Sequence, residues 1–230
     1  MNNKMKALIF GAKGSIGNYI FTEFCKENID VIGTTSNQMN ISENIILVKN
    51  DNLDNLMVVE PVDIVVWANG DNCNDNINTY NEFIFKKIID ANVTFILNTL
   101  HYLLLNNKVK NGAKLVIVSS IWEELTRENK LSYSISKAAL SGLVKNVSYD
   151  LSLHNILINN VLPGVIDNEM SQKTLSKEQF DYIKNYMQFG RLTTLSDVYK
   201  TVKFLAIENT GITGQSIKVD LGFTNIKKYN

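Results

Sequence analysis

The feature that most constrains this chain is a rhythm. Short apolar runs rich in Val and Ile, at 7–10, 31–33, 45–48, 63–68, 115–119, 156–162 and 216–219, alternate with longer amphipathic stretches. Most of these runs carry no polar–apolar alternation, so a strand made from one has no face for water. Such strands belong in a parallel sheet covered by helices on both sides. The stretches at 15–27, 80–106, 132–153, 176–186 and 195–207 have helical spacing and supply those helices. The expected fold class is α/β, a doubly wound parallel sheet of about seven strands with helices on both faces.

No internal repeat, charge block or linker divides the sequence, so a single domain over 1–230 is expected. With 45% hydrophobic residues there is ample material for one sizeable core. The 23 basic and 23 acidic residues cancel, which removes the charge excess that draws proteins to nucleic acid or anionic lipid. A small molecule or another protein is the expected partner, with no nucleic acid and no membrane. The most apolar helical segment, Phe95–Leu105, contains Asn98, Thr99 and His101 and is too short to span a bilayer. Cys25 and Cys73 lie far apart without metal-ligand spacing, so no metal site is expected and a reducing, cytoplasmic compartment is the simplest setting. The apolar stretch after Lys6 is too short for a signal-peptide core.

Four motifs carry chemistry. The first run ends in Phe10-Gly11-Ala12-Lys13-Gly14-Ser15-Ile16-Gly17 and opens directly into a helix. Gly11 can turn tightly, Gly14 removes a side chain where a pyrophosphate approaches, and Gly17 lets helix and strand pack closely. The N–H groups of Ser15 and Ile16 then face the phosphate, with Lys13 beside it. Alone, the triplet is a glycine-bearing turn; after a first strand it suggests a Rossmann-type dinucleotide site.

The second motif is Tyr133-Ser134-Ile135-Ser136-Lys137, which stacks a phenol and an ammonium one helical turn apart. A tyrosine with an ordinary pKa near 10 shuttles protons poorly at neutral pH, and a nearby cation stabilises its phenolate. Tyr199 and Lys203 repeat the spacing, so spacing alone does not choose between them. Context does: a buried-type strand ending in Ser119-Ser120 precedes Tyr133, whereas Tyr199 has no such strand and reads as an ordinary helix face. The third and fourth motifs are the stop Pro163-Gly164-Val165-Ile166 after a late strand and Thr213-Gly214-Gln215 running to Asp220-Leu221-Gly222.

In this order and at these spacings, the motifs resemble those of the short-chain dehydrogenase/reductase family, in its compact single-domain branch, from about Lys6 to Gly222. The resemblance implies a hydride transfer between a nicotinamide and a carbonyl or secondary alcohol. Tyr133 would be the general acid, and Lys137 would lower its pKa and bond the nicotinamide ribose. Ser120, in preference to Ser119, would orient the carbonyl, and Asn92 would hold a water of the proton relay. Pro163, Gly164, Val165 and Ile166 would face the nicotinamide; Ala68, Asn69 and Gly70 would line the adenosine ribose. Asp51, beyond the third run, joins this cofactor-binding set. Residues around 167–190, aromatic at Phe180, Tyr182, Tyr186 and Phe189, correspond to a substrate lid.

The chain departs from the family pattern in its glycine spacing, which is that of the extended branch. It also departs in Trp67-Ala68-Asn69-Gly70, where Asn-Asn-Ala-Gly is usual, and in Asn168, where a threonine is usual. The second run ends in Thr34-Thr35-Ser36 with no acid before Glu43; Thr34, Ser36 and Lys13 can donate to a 2′-phosphate, so NADP(H) is favoured over NAD(H). An NADPH-dependent carbonyl reductase, ketoacyl-reductase-like or acting on keto-sugars, and forming a homodimer or homotetramer, is the expected function. A non-catalytic NAD(P)-binding sensor or scaffold is the alternative, and a sugar-nucleotide epimerase or dehydratase a more distant one. Glu123, Glu124 and Arg127, after the serine pair, read as a solvated loop.

Overall fold

The computed structural model describes residues 4–168, 171–172, 175–187 and 189–225. Each of the seven apolar runs forms a parallel strand: β1 (Lys6–Phe10), β2 (Asp30–Thr35), β3 (Ile45–Leu47), β4 (Val62–Trp67), β5 (Val109–Val118), β6 (Leu157–Pro163) and β7 (Ser216–Val219). They join in one sheet in the order β3-β2-β1-β4-β5-β6-β7. Ile9 on β1 lies beside Gly33 of β2 and Val66 of β4.

The absence of alternation in the runs has a direct physical cause. Side chains leave a strand on alternate faces, and here both faces are dry. Leu8, Phe10, Val65, Trp67, Leu115 and Ile117 join one core with Ile96, Leu100 and Leu103 of α3 (Phe95–Leu105) and with Leu140 and Val144 of α4 (Leu131–Asp150). The interleaved Ala7, Ile9, Ile64, Val66 and Val116 join a second core with Ile20 and Phe24 of α1 (Ser15–Lys26) and with Val198 and Val202 of the last helix, Leu195–Lys203. Burying each such aliphatic side chain contributes about 1.5–3 kcal/mol, so a polar residue on either face of these strands is costly.

Trp67 occupies the end of β4, where the related pattern has asparagine. It stacks on Phe10 with ring centres 5.6 Å apart, and its indole N–H donates to the buried Thr99 hydroxyl at 2.9 Å. A buried indole needs such a partner. β5 begins well before its apolar run, because Val109 pairs with Val62 while Lys110 bonds the carboxylate of Asp63 at 2.8 Å.

The apolar segment expected at Phe95–Leu105 is longer in the structure. It continues N-terminally through α2 (Glu82–Ile89) and a π-helical turn, Asp90–Thr94, as one helix, Glu82–Leu105. By length and composition alone this 24-residue helix, with a mean hydropathy of 1.4 over its most apolar 18 residues, is long and apolar enough to cross a membrane. Ile88, Asn92, Ile96, Thr99, Leu100 and Leu103 are buried, which places part of its apolar surface in the core.

The strand order reverses between β1 and β4: the chain moves outward from β1 to β3, then crosses back to β4 and proceeds the other way. In doubly wound sheets a crevice opens at that reversal, outside the carboxyl ends of the strands. Gly11 follows β1 there and Ala68–Gly70 follow β4.

Candidate active site

The turn after β1 is built by contacts that only glycine permits. Gly11 has φ +75°, and a Cβ on it would lie 2.7 Å from the backbone N of Asn69. A Cβ on Gly17 would lie 2.2 Å from the Gly11 carbonyl oxygen, so helix α1 and the turn touch through bare backbone. Gly14 is the N-cap of α1 and supplies no side chain to its first N–H groups, which leaves them for an anion. Two cavities adjoin this turn, of about 450 and 380 Å³, and share Gly11, Thr34, Thr35, Ser36, Asn69 and Gly70. Lys13, Ser15, Ile16 and Ala68 line the smaller. The larger is lined by Val48, Lys49 and Asn50. Asp51, expected in that position, is exposed on the turn between Lys49 and Asn52, which are bonded to each other through backbone; it is Asn50, one residue earlier, that faces the cavity and is held by the Asn98 amide at 2.8 Å. Asn69 donates to the Ala91 carbonyl at 3.1 Å, while its buried Oδ1 has no partner among the described residues. That orphaned acceptor suits a sugar hydroxyl or base N–H.

Ile16 and Asn168 connect the smaller cavity to a third, of about 590 Å³. This one is lined by Ser119, Ser120, Tyr133 and the whole segment Pro163, Gly164, Val165 and Ile166. Gly164 is required where it stands: a Cβ would meet the Thr193 hydroxyl at 2.8 Å and Asp220 at 2.9 Å. Ser120 lies two residues beyond β5 and caps the short turn Ile121–Glu123, its Oγ accepting from the Trp122 N–H at 3.3 Å.

Tyr133 and Lys137 are both buried on the inner face of α4, with the Lys137 ammonium 5.7 Å from the centre of the tyrosine ring. Burial pushes the Tyr133 phenol up to about 12, opposed by a hydrogen bond with Ser120. Burial pushes Lys137 down to about 8, opposed by the charge of Glu123. Each group is thus moved toward its neutral form, as desolvation requires. The Lys137 Nζ would lie 3.6 Å from a Cβ on Gly70, so it reaches the floor of the cofactor-side loop.

Asn92 lies in the π-helical turn and is fully buried. Its amide donates to the Asp71 carbonyl at 3.0 Å and the Ser136 hydroxyl at 2.9 Å, and its Oδ1 accepts from the Asp71 N–H at 2.7 Å. Both N–H groups are spent on protein, so the water-holding role expected for this residue does not fall to them. What the side chain does is fasten the loop after β4 to helix α4 beside Lys137.

Two neighbouring residues escaped the sequence reading. Glu123, expected in a solvated loop, is buried and accepts from the Asn160 amide at 3.0 Å and from the Ser216 hydroxyl. Burial raises its pKa, and these hydrogen bonds oppose the rise. The signal available was Asn160, a polar residue inside an apolar run that needs a partner. Lys130, three residues before Tyr133, is also buried and lines the same cavity as Tyr133. Arg127 lines it too, over the ring of Trp122 at 5.7 Å. Tyr199 lies elsewhere, packed edge-on against Tyr19 and Phe24, with Lys203 paired to Glu27.

Of the segment 167–190, Leu175, Gln179, Tyr182 and Ile183 border the Tyr133 cavity. Glu169, Met170, Lys173, Thr174 and Gln188 lie outside the described residues.

Residues 56–224 match a family model described as Enoyl-(Acyl carrier protein) reductase. Over 233 residues, spanning 94% of this chain and 95% of the relative, the sequence is 30% identical to the 3-oxoacyl-(acyl-carrier-protein) reductase FabG of Rickettsia felis. Among solved structures, the ligand-free aldohexose dehydrogenase of Thermoplasma acidophilum superposes with a TM-score of 0.87 at 20% identity, over 99% of this chain and 98% of that one. ElxO with NADP bound gives 0.83 at 24% identity, over 97% of this chain and 100% of that one. At those identities the structural likeness is one of fold.

Proposed function

The chain belongs to the short-chain dehydrogenase/reductase family and is an oxidoreductase of CH–OH and C=O groups, and on that premise we propose that it is an NADPH-dependent carbonyl reductase of the cytoplasm. The observation that carries the reading is the Tyr133–Lys137 pair on one buried face of α4, with Tyr133 lining a cavity that runs on, through Ile16 and Asn168, to the glycine turn. When bound there, the nicotinamide supplies a hydride to the carbonyl carbon. Tyr133 gives its hydroxyl proton to the carbonyl oxygen, and Ser120 holds that oxygen in place. Lys137 stabilises the phenolate left behind, and its ammonium is within reach of the loop at Gly70 where a ribose would lie. Asn92 is a positioning residue that keeps loop and helix in register.

The glycine cradle, the orphaned Asn69 acceptor and the uncapped first turn of α1 all suit a dinucleotide. Thr34, Ser36 and Lys13 bring donors to the smaller cavity, whose described lining residues include no acid, and this favours a phosphate on the adenosine ribose there. Pro163, Gly164, Val165 and Ile166 form the wall for the nicotinamide ring. Residues 167–190 act as the substrate lid of a single catalytic domain. Phe83, Ile84 and Leu97 on one long helix, and Ile135 and Tyr149 on α4, are exposed and apolar; they fit pairing of these helices in a homodimer or homotetramer.

The test is NADPH oxidation by the purified protein with a panel of ketones, acyl thioesters and keto-sugars. Tyr133→Phe is expected to abolish turnover while NADPH affinity is retained. A Tyr133→Phe protein that reduces carbonyls at the wild-type rate overturns the assignment, and NADPH binding without turnover on any substrate points instead to a sensor or scaffold.

A further inference from the structure

One buried charge in the Tyr133 cavity has no part in the chemistry above. Lys130 immediately precedes α4, is 2% exposed, and lines the cavity together with Ser120 and Tyr133. Its ammonium lies 5.5 Å from the centre of the Tyr133 ring, on a par with Lys137 at 5.7 Å. An ammonium carries three N–H donors. Two are spent, on the Asn72 side-chain oxygen at 2.7 Å and the Cys73 carbonyl at 3.1 Å. No carboxylate pairs with Lys130 among the described residues. Asp75 acts on it only electrostatically, because its oxygens take the Ser132 N–H at 3.0 Å and the Ser132 hydroxyl. Arg127 lines the same cavity and adds positive charge, and burial with that charge pushes the Lys130 pKa down to about 8. Among the described residues, the acid lining the cavity is Glu178, exposed on the helix Lys177–Tyr186. Trp122, Leu175, Tyr182, Ile183 and Phe223 make much of the remaining wall apolar.

A cation buried without an ion-pair partner is costly in the empty protein. The cost is recovered when an anion enters, and a charge so close to Tyr133 places that anion close to the reacting carbonyl. We propose that Lys130 is an anion subsite of the carbonyl cavity and that the substrate is an oxo acid, with a carboxylate beside the carbonyl and an apolar tail. One ammonium with one donor to spare matches a singly charged carboxylate. The inference rests on the carbonyl-reductase reading for the reaction, but the anion subsite itself is measurable without turnover.

Two measurements separate the two. The first compares reduction of 2-oxooctanoate with that of its methyl ester by the NADPH-loaded protein. Wild type is expected to favour the acid by about tenfold or more in kcat/KM, the range of a buried charge-assisted hydrogen bond. Lys130→Gln keeps donors for Asn72 and Cys73 but removes the charge, so it should erase that preference, acid reduction losing about tenfold more in kcat/KM than ester reduction. The second follows octanoate, octyl phosphate and octanol by fluorescence of the cavity residue Trp122 in the same complex. Octanoate should bind more tightly than the other two, and Lys130→Gln should weaken octanoate alone.

A wild type that prefers the ester, a variant that slows acid and ester equally, or tighter binding of octyl phosphate than of octanoate each overturns the proposal. Octanoate binding that depends on Lys130, in a protein that reduces no carbonyl, upholds the subsite and sinks the reductase reading. Reduction of neutral ketones by a protein that ignores octanoate does the reverse.

Discussion

Replacing Asn92 with alanine tests whether one buried amide holds the two halves of the site together. The side chain is fully buried and makes three hydrogen bonds, two to the backbone of Asp71 and one to Ser136. Asp71 follows the loop residues Asn69 and Gly70, whereas Ser136 is next to Lys137, so the amide bridges cofactor loop and catalytic helix. Alanine leaves the Asp71 N–H and carbonyl and one Ser136 lone pair without partners. A buried polar group stripped of its partner costs about 1–3 kcal/mol. The Asp71 groups are only part-buried and recover some of this from water, so the total is about 3–4 kcal/mol. At roughly 2–4 °C per kcal/mol for a domain of this size, the melting temperature should fall by roughly 6–16 °C. The freed loop should also weaken NADPH binding by about tenfold, since its preferred position is no longer fixed. Thermal denaturation by circular dichroism and NADPH titration by fluorescence read the two effects. A variant that melts within about 2 °C of wild type and binds NADPH equally well refutes the bridging role.

Other perturbations bear on separate parts of the site. Gly17→Ala puts a methyl 2.2 Å from the Gly11 oxygen, whereas Gly14→Ala meets the same atom at an ordinary 3.4 Å; Gly17→Ala should lower the melting temperature and Gly14→Ala should not, and equal melting of the two contradicts the close-packing account. Lys137 and Lys130 both have pKa values near 8 in the fold against an ordinary 10.5, so between pH 8 and 10.5 the unfolded chain binds more protons and stability should rise with pH. Tyr133, raised to about 12 from 10, reverses the slope above pH 10; urea midpoints at pH 8, 9, 10 and 11 should pass through a maximum, flattened in Lys130→Gln, and a flat profile for wild type is the contrary result. Ser36→Asp should repel a 2′-phosphate and swing the kcat/KM ratio toward NADH by about tenfold or more, which parallel assays with the two cofactors will read.

The sheet was legible because its signal is collective. Seven runs of Val and Ile without alternation leave few arrangements other than a parallel sheet with two dry faces. Tyr133 and Lys137 were legible for a related reason, since helical spacing fixes which residues share a face whatever the tertiary setting. Glu123, Lys130 and Asn50 were not, because each depends on a contact far along the chain. Glu123 is drawn inward by Asn160 and Ser216, and Lys130 by Asn72 and Cys73. Asn50 differs from Asp51 by one residue of turn geometry, a distinction that composition does not carry. The start of β5 was hidden in the same way, behind the polar Lys110, Asn111 and Gly112.

Tyr133 and the two lysines beside its ring share one cause for their perturbed pKa values. Tyr133 is pushed up, and Lys137 and Lys130 are pushed down, because the fold removes water from all three before any ligand arrives. In isolation this burial opposes folding, since neither lysine recovers its lost hydration from a carboxylate within bonding distance among the described residues. Compensation comes from elsewhere in the molecule, from two cores that sandwich the sheet and from the buried hydrogen bonds of Asn92 and Trp67. A dry cavity also strengthens every electrostatic interaction inside it. An anion placed beside Lys130 and a developing phenolate beside Lys137 are therefore each stabilised more than they would be at a wet surface. The burial that weakens the empty protein is the same burial that makes its two ammonium groups effective, so ligand binding and folding stability should rise together as the cavity fills.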